Sequence, residues 1–169
     1  MGGPVSSVPW SPQFVAQTLE VLPVGLEGDG FYWMKPLHAE SLRVGLPSSA
    51  RPADVVLDVL NWYPLNAIVV HSTSWRHEEG RVILTYVAAI EPPADLARDS
   101  LLAVPVRRAE LARGGAATAP AVIGVEAVIE HALRHLSWLV RDDPAVMTAL
   151  AGWKTALTDF EPEPFRALA

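Results

Sequence analysis

The sequence predicts one α+β domain, and three observations carry that prediction. The chain has 169 residues, half of them hydrophobic, which is enough for one self-sufficient core and too little for two ordinary domains. Two runs rich in β-branched residues, Ala67 to Trp75 and Arg81 to Ile90, flank His77-Glu78-Glu79-Gly80. That is a hairpin signal, with a glycine placed to take a positive φ at the turn. Gly124 to Arg141 repeats its apolar residues with the helical period, giving one strongly amphipathic helix.

The remaining elements follow in chain order. Ser11-Pro12 reads as an N-cap and a first helical residue, and Phe14, Val15, Leu19 and Leu22 fall at helical spacing. A helix is therefore predicted there, ended by Pro23. Gly25 to Gly30 reads as a loop, Phe31 to Lys35 as a strand before Pro36, and Ser41 to Leu46 as a second short strand. Pro52 to Tyr63 is the next helix, with Val55, Val56, Val59 and Leu60 as its apolar face and Pro64 as its stop. Beyond the hairpin, Glu91-Pro92-Pro93 ends the second strand and Ser100 to Val106 forms another. Arg107 to Arg113 reads as a short helical turn and Gly114 to Pro120 as a loop. Asp143-Pro144 caps a last helix, in which Val146, Leu150, Trp153 and Leu157 share a stripe, and Glu161 to Pro164 is an extended tail. The order α, β, β, α, β, β, β, α, α makes residues 1–169 a single domain with short terminal tails. Its sheet is mixed or antiparallel, with flanking helices.

Composition excludes several functions. A net charge of −6 argues against a nucleic-acid or anionic-membrane partner. With no cysteine there is no disulfide, thiolate nucleophile or Cys-ligated zinc. No apolar run approaches the roughly 20 residues that span a bilayer, and no basic-then-apolar leader is present, so a cytoplasmic location is expected. Two lysines against eleven arginines, with abundant alanine and proline, have the look of a GC-rich bacterial coding sequence. Met1-Gly2-Gly3-Pro4-Val5-Ser6 matches the myristoylation pattern formally, and in a bacterial chain it is set aside.

The hairpin holds the main site candidates. Strand side chains alternate, so His71, Thr73 and Trp75 share a face. A turn centred on Glu78-Glu79 places His71 opposite Tyr86, Thr73 opposite Leu84 and Trp75 opposite Val82, with Arg76 and His77 at the mouth. The expected ligand-binding residues are His71, Thr73, Trp75, Arg76 and Tyr86. Of these, His71 is the candidate acid or base and Thr73 a second donor. The plainer reading is a His71–Tyr86 hydrogen bond on a half-buried sheet face.

Elsewhere, His131 and His135 stand at i, i+4 and are the metal candidates, but no third ligand accompanies them, so no metal and no cofactor is expected. Trp138 falls off the apolar face of its helix and needs cover, either from the last helix or from a second subunit. Arg107-Arg108, with Arg113 nearby, is the basic cluster; it suits a phosphate or carboxylate, or is simply solvated. The expected partners are thus a small anionic ligand and a second copy of the chain.

Two family resemblances bear on these residues. His71-Ser72-Thr73-Ser74 resembles the His-x-Thr motif of two-histidine phosphoesterases, which implies a phosphate gripped by histidine and threonine. This chain has one copy, since His38-Ala39-Glu40-Ser41 places its hydroxyl one residue too far. Over residues 31 to 141, the order of strand pair, helix, the hairpin VVHSTSWRHEEGRVILTYVAAIEP and VPVRRAEL resembles Nudix-fold domains, whose mixed sheet lies between helices. The Arg-Glu and Glu-Glu pairs of the family's catalytic helix are absent; Asp54 and Asp58 are the only acidic residues there. The resemblance therefore implies the fold without magnesium-dependent hydrolysis. The expected function is a non-catalytic small-molecule-binding or interaction domain. The alternatives are a metal-independent phosphoesterase-like enzyme using His71 and Thr73, and a structural homodimerisation module.

Overall fold

Where Leu19 and Leu22 predict a helix, the chain runs as the central strand of a sheet. The computed structural model describes residues 16–94, 100–109 and 123–161. Within them, β1 spans Ala16–Glu27, β2 Gly30–Pro36, β3 Leu42–Gly45, α1 Pro52–Trp62, β4 Ala67–Glu78 and β5 Arg81–Ile90. β6 spans Leu101–Pro105, α2 Val125–Asp142, α3 Pro144–Ala149 and α4 Lys154–Leu157. The six strands form one mixed sheet in the order β4-β5-β1-β2-β6, with β3 paired to β1. The β1–β5 pair is parallel over nine positions, and every other pair is antiparallel.

The apolar residues of β1 are shared between two layers. Leu19 and Val21 pack into the core under α1, whereas Leu22 and Val24 pack into the core under α2. A strand buried on both faces reads as an unbroken apolar run without alternation, and two of its leucines happen to match helical spacing. Pro23 fits because it sits where β1 changes partner. Residues 18–21 pair with β3 and residues 24–27 with β2, so the missing donor falls between the two antiparallel ladders. The expected loop over Gly25 to Gly30 shrinks to a turn at 28–29, with Gly28 at φ +64°.

Several predicted elements are found as expected. α1 opens on Pro52 and buries Val56 and Leu60, and α2 buries Val128, Ile129, Ala132, Leu133, Leu136 and Val140. The Asp143 carboxylate caps α3, accepting from the amides of Ala145 at 2.8 Å and Val146 at 3.3 Å, with Pro144 in the first helical position. The final stripe then breaks into short pieces, α4 and two 3₁₀ turns, Ala151–Trp153 and Thr158–Phe160. Leu150, Trp153, Leu157 and Phe160 still reach the α2-side core, and the Phe31 ring meets Trp153 and Phe160 at 5.4 and 5.6 Å. These pieces do not cover Trp138, which stays 54% exposed.

Residues 107–109 have no regular structure, and the rest of the helical turn expected at Arg107 to Arg113 lies outside the described residues. So do the myristoylation pattern, Ser11 to Val15, the loop from Gly114 to Pro120, and the tail after Glu161. No helix among the described residues is long and apolar enough to cross a membrane.

Candidate functional site

The hairpin turn is Glu79-Gly80, one residue later than Glu78-Glu79. Both residues have positive φ, +48° and +76°, the signature of a two-residue I′-type turn. The glycine takes the role expected of it, and its place in the turn moves the register. Glu78 pairs with Arg81, Arg76 with Ile83 and Trp75 with Leu84. A bulge between Ser72 and Ser74 then leaves Thr73 unpaired, after which Ser72 meets Tyr86 and His71 meets Val87.

Because strand side chains alternate, this corrects the expected patch. His71 shares the α2 face with Val87, while Tyr86 packs into the α1-side core, so the two are not neighbours. Trp75 follows Leu84 to the α1 face and is 71% exposed. Thr73 is buried in the bulge, and its hydroxyl donates to the Thr85 carbonyl at 3.3 Å. The five hairpin candidates are therefore dispersed over two faces, and only His71 and Arg76 look toward α2.

Arg76 serves a buried carboxylate. Glu20, the one acidic residue in the buried stretch of β1, is 1% exposed. Arg76 grips both of its oxygens, at 2.7 and 3.0 Å. Ser41, Thr85 and Arg43 add donors at 2.7, 3.0 and 3.1 Å. Burial alone raises this carboxyl; the Arg76, Ser41 and Thr85 bonds outweigh it and hold the pKa at about 2. Glu130 of α2 is handled alike. Fully buried, it accepts from Arg108 at 2.9 and 3.0 Å, from Arg134 at 3.3 Å and from the Ala109 amide at 3.3 Å.

His71 does find company, in residues that the sequence offers separately. Its ring lies 5.8 Å from that of His135, which lies 4.6 Å from that of His131. The i, i+4 spacing puts the two α2 histidines side by side, and β4 brings His71 up from the sheet. His135 Nδ1 is buried with no hydrogen-bond partner among the described residues. Burial lowers the pKa of His71, and burial together with the charges of His131 and His135's other neighbour, His71, lowers that of His135. Among the described residues no group of three or more His, Asp or Glu side chains is arranged to hold a metal ion.

A cleft of about 400 Å³ opens at the start of α2. Trp33, Val104 and Ile129 supply its apolar lining, and Lys35, Arg107, Glu40 and Glu126 its charges. Gly124, the N-cap, contributes no side chain, so the first amides of α2 have no side-chain cap among the described residues. Lys35 and Arg107 make no ion pair with any described residue. The arginine cluster is thereby divided. Arg108 is bound to Glu130 and stacks over Phe160 at 4.4 Å, whereas Arg107 borders the cleft. Sequence reasoning reaches Arg107 but misses Lys35, which reads only as the end of a strand. Compared with known proteins, the chain matches no family model and no curated protein sequence.

Proposed function

We propose that this is a non-catalytic small-molecule-binding domain whose ligand occupies the cleft at the start of α2. The observation that carries the reading is a pair of cations, Lys35 and Arg107, beside the uncapped start of an 18-residue helix and over an apolar floor. Helix-terminal amides and cations together favour an anionic group. The two cations and the two carboxylates of the lining, Glu40 and Glu126, cancel in charge. That balance favours a singly charged or zwitterionic molecule with an apolar body over a polyphosphate. The volume lies in the range of ordinary ligand pockets.

Calorimetric titration with acetate, inorganic phosphate, a nucleoside triphosphate and a panel of free amino acids tests this. Monoanions or zwitterions should bind, and the double change Lys35→Ala/Arg107→Ala should weaken them at least tenfold. Binding that is indifferent to both changes, or restricted to the triphosphate, would overturn the assignment.

The mixed sheet between α1 and α2 is what supports a Nudix-like reading of the fold. On α1 the only acidic residues are Asp54 and Asp58, and Asp54 lies 3.6 Å from Arg51, which supports a domain without the magnesium chemistry of that family. The phosphoesterase reading loses support, since the Thr73 hydroxyl is given to a backbone carbonyl. Self-association is a second reading, supported by the half-exposed indole of Trp138.

A further inference from the structure

We propose that His71, His131 and His135 form an acid-sensitive latch fastening the middle of α2 to the edge strand β4. β4 has only one strand neighbour, β5, among the described residues. α2 and α3 pack against it on the sheet face that carries His71, and α1 packs against it on the opposite face. Ile68 and Val69 of β4 pack into the same core as α2, and beside them an imidazole pair spans the two elements, 5.8 Å from His71 to His135, with His131 4.6 Å from His135 on the helix. Neutral rings pack well in a half-buried seam, one of them with its Nδ1 sealed from water. Charged rings repel one another there, and each must give up hydration.

No opposite charge stands ready to take up the protons. On this face β5 presents Thr85, Val87 and Ala89, none of which titrates near neutrality. α3 (PAVMTA) has no titratable side chain. On β4 the nearest charge is Arg76, bound to Glu20. On α2, Glu130 and Arg134 are bonded to each other, Arg141 is paired with Glu161, Glu126 lines the cleft at the helix start, and Asp142 lies two turns beyond His135, roughly 10 Å along the axis. The charges that bear on His135 are those of His131 and His71, so a second proton on the cluster meets the first.

The direction of the effect follows from the pKa shifts. Both His71 and His135 fall below the ordinary 6.5 in the folded state. The unfolded or opened state then takes up protons first, so the latch is intact above pH 6.5 and weakens as pH falls below it. This window is separate from that of Glu20, whose loss of charge lies below 4.5.

The test is a histidine NMR titration from pH 8 to 5 combined with amide hydrogen exchange, corrected for intrinsic pH dependence. His71 and His135 should titrate below 6.5. Opening of the amides of β4 and the middle of α2 should become at least tenfold more frequent between pH 7.5 and 5.5, while that of β1 and β2 stays level. In the double variant His71→Gln/His135→Gln the acceleration should vanish. Titration of His71 and His135 at or above 6.5, or acceleration of β1 equal to that of β4, overturns the proposal. If the variant does not fold, these wild-type readouts decide alone.

Discussion

Replacing Arg76 by alanine should destabilise the protein by about 3–5 kcal/mol, the usual consequence of leaving a buried charge without its partner. Glu20 is 1% exposed and takes both of its shortest charged contacts, 2.7 and 3.0 Å, from the Arg76 guanidinium. The fall of its carboxyl from 4.5 to about 2 corresponds to roughly 3 kcal/mol of stability at neutral pH. That stability is complete above pH 4.5 and is lost as pH falls through about 2, because the folded state holds the ionised form more tightly than the unfolded chain does. Arg43 remains in the variant, but it is more exposed than Arg76 and shares its charge with Glu78 at 3.1 Å. Urea unfolding at pH 7 measures the loss. The companion variant Glu20→Leu/Arg76→Met removes both charges and leaves Arg43 to Glu78 and to water, so it should recover most of the deficit. A single variant within about 1 kcal/mol of wild type, or a double variant worse than the single, would refute the account of Glu20 as a buried charge dependent on Arg76.

The Tyr32 hydroxyl is buried with no hydrogen-bond partner among the described residues, so Tyr32→Phe should leave stability unchanged or raise it by up to about 1 kcal/mol in urea unfolding. A Cβ at Gly25 would lie 2.2 Å from the Tyr32 ring and hydroxyl, so Gly25→Ala should cost about 2–3 kcal/mol in the same assay; a negligible loss would contradict that close approach. Trp138→Ala should change chain stability by under about 1 kcal/mol, since more than half of the side chain is already in water. If Trp138 packs against a second copy, sedimentation equilibrium of the same variant should show a weaker dimer.

What the sequence made legible was local, and what it concealed was a matter of partners. α1, α2 and the hairpin have periodicity and punctuation of their own, so Pro52, Gly80 and the Asp143-Pro144 cap mark them without reference to the rest of the chain. β1 has no such signal, because burial on two faces erases alternation and Pro23 imitates a helix stop. The register error is equally physical. A non-glycine residue, Glu79, takes φ +48°, and the bulge at Thr73 has no mark in composition, so counting back from the turn put His71 on the wrong face. His71 was visible as a strand residue and His131 and His135 as an i, i+4 pair. Their meeting required knowing that α2 crosses β4.

The same distinction explains how this fold chooses its partners. Apolar patterning tells each element which side to bury and little about which neighbour to bury it against. Three polar ties supply that second kind of information here. Glu20 joins β1 to β4 through Arg76 and to β3 through Arg43. Glu130 joins α2 to the segment after β6 through Arg108, which in turn stacks on Phe160 near the end of the described chain. The histidines join α2 to β4. Exchanging the neighbours of any of these elements would strand a buried charge or polar group, a penalty that misplacing a leucine does not incur. The Glu20 tie stays charged throughout the neutral range, because its carboxyl is held at about 2. The histidine tie rests on His71 and His135, whose pKa values burial lowers below 6.5, so a fall in pH below that value loosens the α2–β4 seam while the Glu20 tie holds.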